Sequence, residues 1–312
     1  MSDDVVTEPV VRFVIEPGGA DERLDRVVAR HFPGATRTRL GELFAAGAVR
    51  VDGRVARKGD RARPGSKVEV AQPPVTAEAL RVIADPAAAE RLVTLHVDDE
   101  LIAVAKPPGM PSQPLRAGEL GTAASGMVAR FPECAAVADD PRDGGLVHRL
   151  DIGTSGVLIA ARTRAAWDAL RAHFGGGAVA KTYLALCEAP PVSRECDAPL
   201  TQRGPRVVVD HAEGLPAHTR WDVIARAGDR ALVRCHASTG RMHQVRAHLA
   251  ACGAPIVGDV RYGGGPMPEL IEFFLHAESV RLPDLTVTAP LPDDRRAVLA
   301  ALGLADAVPS GA

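Results

Sequence analysis

Short segments of alternating apolar and polar residues, closed off by Gly, Pro and Asp, run through this chain with few helix-length crossovers between them. Strands joined by tight turns pair antiparallel, because a parallel partner needs a long connection to return the chain to its starting end. The pattern therefore predicts an α+β fold, with a mixed, largely antiparallel sheet flanked by helices, and argues against a doubly wound parallel one. The clearest hairpin is Val49-Arg50-Val51, Asp52-Gly53, Arg54-Val55, since Asp-Gly accepts the left-handed backbone of a two-residue turn. Further strands are expected at Lys67–Val70, Leu92–Val97, Leu101–Ala105, Gly156–Ala161, Lys181–Cys187, Ala217–Ile224 and Arg230–His236. Helical spacing marks Leu24, Val27 and Val28, then Thr36–Phe44 with Thr36 as N-cap, Thr163–Phe174 before a run of three glycines, and His243–Cys252.

At 312 residues the chain suits two domains, and Gln72-Pro73-Pro74 is where a ladder or helix cannot continue. Four segments follow: a polar arm over 1–20, either loose or an added edge strand; a small α+β unit over 21–72; a linker over 73–91; and a large domain over 92–312. The acidic start, Met1-Ser2-Asp3-Asp4, has no apolar run after it, and the apolar runs near 157–161 and 297–302 are too short for a bilayer. A cytoplasmic protein without membrane contact is expected. Five cysteines, with no Cys-x-x-Cys among them, speak against a disulfide framework and a structural zinc site.

The net charge of −2 hides an uneven distribution, because residues 22–70 carry 12 Arg/Lys against 6 Asp/Glu. A local basic surface governs phosphate binding more than the chain total does. Reactive side chains gather beside glycines at His148-Arg149-Leu150-Asp151-Ile152-Gly153-Thr154-Ser155-Gly156 and at Gly240-Arg241-Met242-His243-Gln244-Val245-Arg246-Ala247-His248. Taken alone, the first fits a turn-capping aspartate better than a site, and the second fits a polar helix with one buried histidine. His243 and His248 lie five positions apart, which turns them about 140° from each other on a helix, whereas zinc helices use i and i+4. No phosphate loop and no Gly-x-Gly-x-x-Gly is present, so neither a nucleotide cofactor nor a metal is expected. Lys181-Thr182-Tyr183 places one of only two tyrosines on a strand, a position that is usually core.

The order of these segments is more telling than any one of them. His148-Arg149-Leu150-Asp151 with Thr154-Ser155-Gly156, then Lys181-Thr182-Tyr183, Gly240 to His248, Gly258-Asp259 with Tyr262-Gly263, and Leu275-His276-Ala277 resemble the RluA-type pseudouridine synthases. Lys106-Pro107-Pro108-Gly109 is similar to their strand-end signature, and the unit at 22–70 resembles the S4-like RNA-binding module first described in a ribosomal protein. Two stretches depart from the pattern: Ile152 stands where a charged residue is common, and Pro111-Ser112-Gln113-Pro114 replaces a short valine–histidine stretch.

The resemblance implies cofactor-free isomerisation of uridine to pseudouridine in RNA by a monomer, with large-subunit ribosomal RNA as the first target and transfer RNA as the alternative. It implies Asp151 as the catalytic aspartate, Tyr183 packed against the target base, Arg246 paired with the aspartate, and Arg149 filling the gap left by the extruded base. His148, Thr154, Arg241, His243 and Gln244 are expected to line the substrate, and His236 and His276 to be scaffold or rim. Arg37, Arg39, Arg50, Arg54, Arg57 and Lys58 would grip phosphates. A carboxylate suits this chemistry because it can offer an electron pair and remove a proton. Attack at the sugar, attack at the base and removal of the C2′ proton all use that same group. An inert RNA-binding assembly factor with the same fold is the competing reading, and a histidine-based metallohydrolase is disfavoured by the spacing.

Overall fold

The computed structural model describes residues 10–16, 22–32, 35, 37–71 and 80–308, and of residues 37–39 the backbone alone. The expected Thr36 cap and the prolines at 73–74 lie outside the described residues, as do the side chains of Arg37 and Arg39. The chain divides into two compact units at the Arg81–Val82 bond.

In the first unit, strands β1 (Val10–Val14), β2 (Val49–Val51), β3 (Arg54–Val55) and β4 (Lys67–Ala71) form an antiparallel sheet in the order β1-β4-β2-β3. Helices α1 (Leu24–His31) and α2 (Arg37–Ala45) pack against it. Leu24, Val27 and Val28 from α1, with Leu40, Leu43 and Phe44 from α2, meet Val49, Val68 and Val70 in one core. Asp52 and Gly53 both have positive φ, at 49° and 81°, and the Asp52 carboxylate accepts the Lys67 amide at 2.8 Å. Of the arm and the edge strand that the sequence allows over 1–20, the described part is a strand: β1 pairs with β4 along its whole length.

The second unit begins earlier than the expected linker end, because α3 (Pro86–Glu90) is packed into it. Asp85 caps that helix, accepting the amides of Ala87 and Ala88. There follow β5 (Val93–Val97), β6 (Leu101–Lys106), α4 (Ala123–Arg130), β7 (Ser155–Ala161), α5 (Arg164–Gly175), β8 (Ala180–Cys187), β9 (Glu195–Cys196), β10 (Leu200–Arg203), β11 (Arg206–Val209), β12 (Thr219–Ala227), β13 (Arg230–Ala237), α6 (Gln244–Ala251), β14 (Leu275–Arg281), β15 (Thr286–Thr288) and α7 (Asp293–Ala301). The main sheet runs β5-β6-β7-β14-β8-β13-β12-β9, with β15 folded onto β14 and β10–β11 a separate hairpin. All pairings are antiparallel except β7 with β14. The sheet is mixed and largely antiparallel, as the turn pattern requires.

Both faces of this sheet are covered. Ile102, Val104, Leu158 and Ala160 pack with α3 and α4, whereas their neighbours Leu101, Ala103, Val157 and Ile159 pack with Ala166, Trp167 and Leu170 of α5. Burial on two sides is why β7 is apolar at nearly every position instead of alternating. The third cluster joins β8 and β13 to Val245 and Leu249 of α6 and to Val298 and Leu299 of α7. Gly156 marks where β14 comes closest to β7: it has φ +118°, and a Cβ there would lie 2.1 Å from the Ala277 carbonyl oxygen. Helix α6 starts one residue later than expected, since His243 adopts φ 51°.

Candidate active site

The loop that precedes β7 is fixed through its backbone. Four consecutive carbonyls, from Leu150 to Gly153, each receive a donor: Ser112 Oγ at 2.7 Å, the Thr154 amide at 3.0 Å, Lys106 Nζ at 3.1 Å together with the Gly109 amide at 2.9 Å, and Arg295 Nη2 at 2.8 Å. Lys106 also donates to the Pro107 and Met110 carbonyls, so its whole ammonium is spent on backbone. Burial pushes the Lys106 amine down to about 7, the nearby Arg295 adds to that push, and Asp151 opposes it. The loop cannot relax without releasing a buried cation.

Asp151 leaves this loop half-buried and meets α6. Arg246 Nη1 donates to Asp151 Oδ2 at 2.8 Å, while Nε and Nη2 donate to the two oxygens of Asp259 at 2.7 and 2.9 Å. The Arg246 and Asp259 side chains are 6% and 2% exposed, against 23% for Asp151, so only one end of this chain of charges reaches the surface. The rings of Tyr262 and Phe273 lie against the guanidinium, with its carbon 4.9 and 4.3 Å from their centroids. Burial by itself disfavours the charged guanidinium, but the two carboxylates outweigh it and raise Arg246 further above its ordinary value.

His243 closes the other side. Its Nε2 is 3.9 Å from Asp151 Oδ1, and its Nδ1 is 2.9 Å from the Tyr262 hydroxyl, which accepts the Val207 amide. Burial lowers the His243 imidazole, with Asp151 opposing. Tyr183 extends from β8 between the two clusters on either side of it, and burial, reinforced by the charge of Asp151, pushes its hydroxyl up.

Asp151, Arg246, His243 and Tyr183 thus come together, and Arg149 is exposed on the same loop. Three residues expected against substrate are scaffold instead. His148 accepts the Ile159 amide at Nε2 and stacks on Phe174, which makes it neutral, with burial pushing it down to about 3. Gln244 accepts the Arg241 amide and the Thr239 hydroxyl, and donates to the His218 carbonyl and Thr219 Oγ1. Thr154 is buried, and its amide closes the Asp151 turn. Arg241 is exposed and donates to the Pro216 carbonyl. His276 is scaffold, bonded to Ser155 Oγ and the Ala289 carbonyl.

Asp259, Tyr262, Phe273, Lys106 and Arg295 take part without any role expected of them from the sequence. Asp259 carries a usable signal, because a carboxylate in the apolar run Ile256-Val257-Gly258-Asp259-Val260 needs a buried partner. Among the described residues, no three His, Cys, Asp or Glu side chains converge as a metal site would need, and no helix is long and apolar enough to cross a membrane. In the first unit, Arg50, Arg54, Arg57 and Lys58 are exposed on the β2–β3 hairpin and the turn after it.

Comparisons with known proteins converge. The family model for RNA pseudouridylate synthase matches residues 100–251, and that for the S4 domain matches residues 22–68. The "Ribosomal large subunit pseudouridine synthase D" of Xanthomonas campestris is 34% identical, over 93% of this chain and 91% of its own. An "Uncharacterized RNA pseudouridine synthase" of Chloroflexus aurantiacus is also 34% identical, over 92% of each chain. The solved structure of human RNA Pseudouridylate Synthase Domain Containing 4 has the same fold, with a TM-score of 0.57, 24% identity, and coverage of 70% of this chain and 96% of that one.

Proposed function

The chain belongs to the RNA pseudouridylate synthase family, and from that premise we propose that it isomerises uridine in large-subunit ribosomal RNA with Asp151 as the reacting carboxylate. The observation that carries the assignment of Asp151 is its asymmetric pairing: Oδ2 is bound to Arg246 at 2.8 Å, while among the described residues Oδ1 has only the 3.9 Å approach of His243. One oxygen is anchored and the other is turned to a reacting partner.

Isomerisation breaks the bond from N1 to C1′, turns the uracil, and joins C5 to C1′; the C5 proton is lost and N1 regains one. A fixed carboxylate can stabilise the electron-poor sugar carbon or take up a proton in that sequence. The target nucleotide has to leave its stack to reach the carboxylate. Tyr183 stacks on the everted base and recovers part of the cost of unstacking. Arg246 orients Asp151, and Arg149, two residues away and exposed, occupies the space the base has left. Arg50, Arg54, Arg57 and Lys58 of the first unit hold RNA phosphates and set register, while the folded RNA supplies selectivity.

Support for the ribosomal target comes from the relatives whose names carry it. The test is a map of pseudouridines across ribosomal and transfer RNA from cells with and without the protein. Sites in large-subunit ribosomal RNA that disappear with the gene and return with it establish the target. Loss confined to transfer RNA replaces the target but keeps the chemistry.

A further inference from the structure

Lys181 is 7% exposed, and its Nζ donates to the Thr239 carbonyl at 2.9 Å. Among the described residues that carbonyl is the one hydrogen-bond partner of an ammonium with three donors, and no carboxylate pairs with it. Burial lowers the Lys181 amine, and no charged group opposes that push. Lys106 is buried as well, but three backbone carbonyls receive its ammonium. A charge taken out of water is ordinarily paired or fully hydrogen-bonded. Lys181 is neither.

Lys181 and Tyr183 lie two residues apart in β8. The pairing of that strand with β13 is regular from Lys181 opposite Ala237 to Cys187 opposite Ala231, so both side chains project from one face of the sheet. They start about 6.5–7 Å apart along the strand. The charge of Lys181 also helps to lower His148, three residues before Asp151. The ammonium borders the turn at 239–241: Gly240 is exposed, and a Cβ on it would come within 3.3 Å of Nζ. Gly240 thus places no side chain over the ammonium. Arg241 follows, exposed, with Nε on the Pro216 carbonyl and both terminal nitrogens without a partner among the described residues. Glu195 is linked to this turn through His218, which pairs with Ser238, but its charge does not shift Lys181.

We propose that Lys181, with Arg241 beside it, binds a backbone phosphate of the RNA next to the everted uridine. The proposal rests on the reading of Tyr183 as the surface on which the base stacks, and adds to it an anchor for the strand that carries the base. A phosphate supplies the counter-charge that the protein itself does not, and two N–H groups of the ammonium are left to meet its oxygens. A base and its own backbone phosphate are separated by a span comparable with that between Tyr183 and Lys181, which favours a phosphate over a carbonyl of the stacked uracil. Asp151, whose charge would repel a phosphate, is not among the groups that shift Lys181, so the cation stands apart from the reacting carboxylate.

The test measures binding of a full-length large-subunit ribosomal RNA transcript over a range of salt, in an Asp151→Ala background where turnover plays no part. Lys181→Gln keeps a donor for the Thr239 carbonyl and removes the charge. It is expected to weaken binding about tenfold at low salt, the loss of one charged hydrogen-bonded contact. The slope of log K against log salt should fall by about 0.7, the value for one phosphate of a single strand. Lys181→Met removes donor and charge together and is expected to weaken binding similarly without lowering the melting temperature, because the charge it removes is buried and unpaired. With Asp151 intact and the transcript tritiated at uridine C5, which loses its hydrogen in the reaction, Lys181→Gln should raise KM by a similar factor and leave kcat within about twofold. Unchanged Kd and salt slope in both variants overturn the site. A loss confined to kcat also overturns it and puts the ammonium on the reacting base. Lower melting temperatures in both variants, with binding weakened equally at every salt concentration, assign Lys181 to the scaffold and overturn the site as well. If the wild-type protein releases no tritium, the functional reading fails, and the salt slope still decides the phosphate contact.

Discussion

Arg246 is bound to Asp259 along a full edge of its guanidinium, at 2.7 and 2.9 Å, and only Nη1 remains for Asp151. The arginine is therefore anchored from behind by the buried Asp259 carboxylate, and Asp151 is positioned by the nitrogen left over. Five groups on four separate segments take part in this arrangement, counting the Tyr262 and Phe273 rings.

Removing Asp151 should remove turnover and little else. Asp151→Ala and Asp151→Asn are expected to lower tritium release by at least about 10²–10⁴-fold, the range for loss of a group that carries charge or proton in the reaction. Its side chain is partly exposed and pairs at one end of the network, so melting temperature and RNA affinity should stay near wild type. Turnover within tenfold of wild type in either variant would dismiss Asp151 from the chemistry.

Breaking the buried pair should cost stability as well as activity. Arg246→Ala leaves Asp259 charged and enclosed, and Asp259→Ala leaves Arg246 short of its main partner. Each is expected to lower unfolding free energy by about 3–5 kcal/mol in urea titrations, and the double change by much less than the sum. Additive losses would show that the two side chains are not coupled.

Acid should destabilise the second unit through its buried imidazoles. His276 Nε2 donates to the Ala289 carbonyl and Nδ1 pairs with the Ser155 hydroxyl, and burial pushes the ring down to about 4. An unfolded histidine titrates near 6.5, so between those values the unfolded chain binds more protons than the folded one. The stabilisation is complete above about pH 6.5 and is lost as pH falls through about 4, at roughly 3 kcal/mol for this residue. Unfolding free energy measured from pH 7 to pH 4 should fall accordingly, and His276→Gln should flatten the slope. An unchanged slope in that variant would mean the proton goes elsewhere.

The basic hairpin of the first unit should set the salt dependence of binding. Neutralising Arg50, Arg54, Arg57 and Lys58 together is expected to weaken RNA binding and to reduce the slope of log K against log salt by roughly 0.7–0.9 for each phosphate no longer neutralised. A slope equal to that of the wild type would remove this surface from the RNA interface.

The hairpins, the small first unit and the double-sided burial of β7 are legible in the sequence because turn chemistry and apolar patterning are local. The placement of β14 is not, since Leu275–Arg281 carries His, Glu and Arg and gains its central position only from the strands beside it. Helix α4 is hidden by its small residues, which show no stripe because nearly every side of the helix is covered. In the site, Asp151 and Arg246 can be named from motif order. Their pairing, the anchoring by Asp259 and the demotion of His148 and Gln244 to scaffold depend on contacts between segments far apart in the chain. The spacing makes His243 the first residue of a helix; its left-handed backbone, which aims the ring at Asp151, leaves no mark in a sequence pattern.

Strand β14 fills the slot between β7 and β8, although those two strands follow one another in the chain and β14 is made about ninety residues later. During translation the two halves of the sheet therefore emerge with an open seam between them, and the last long strand to leave the ribosome is the one that joins them. Until Leu275–Arg281 is out, Gly156 is paired only with Lys106 of β6 and lacks Ala277 on its other side, and Arg295, which braces the Asp151 loop, does not yet exist. A nascent chain halted before that point can bear the aspartate, the tyrosine and the arginine of the site and still be unable to assemble them.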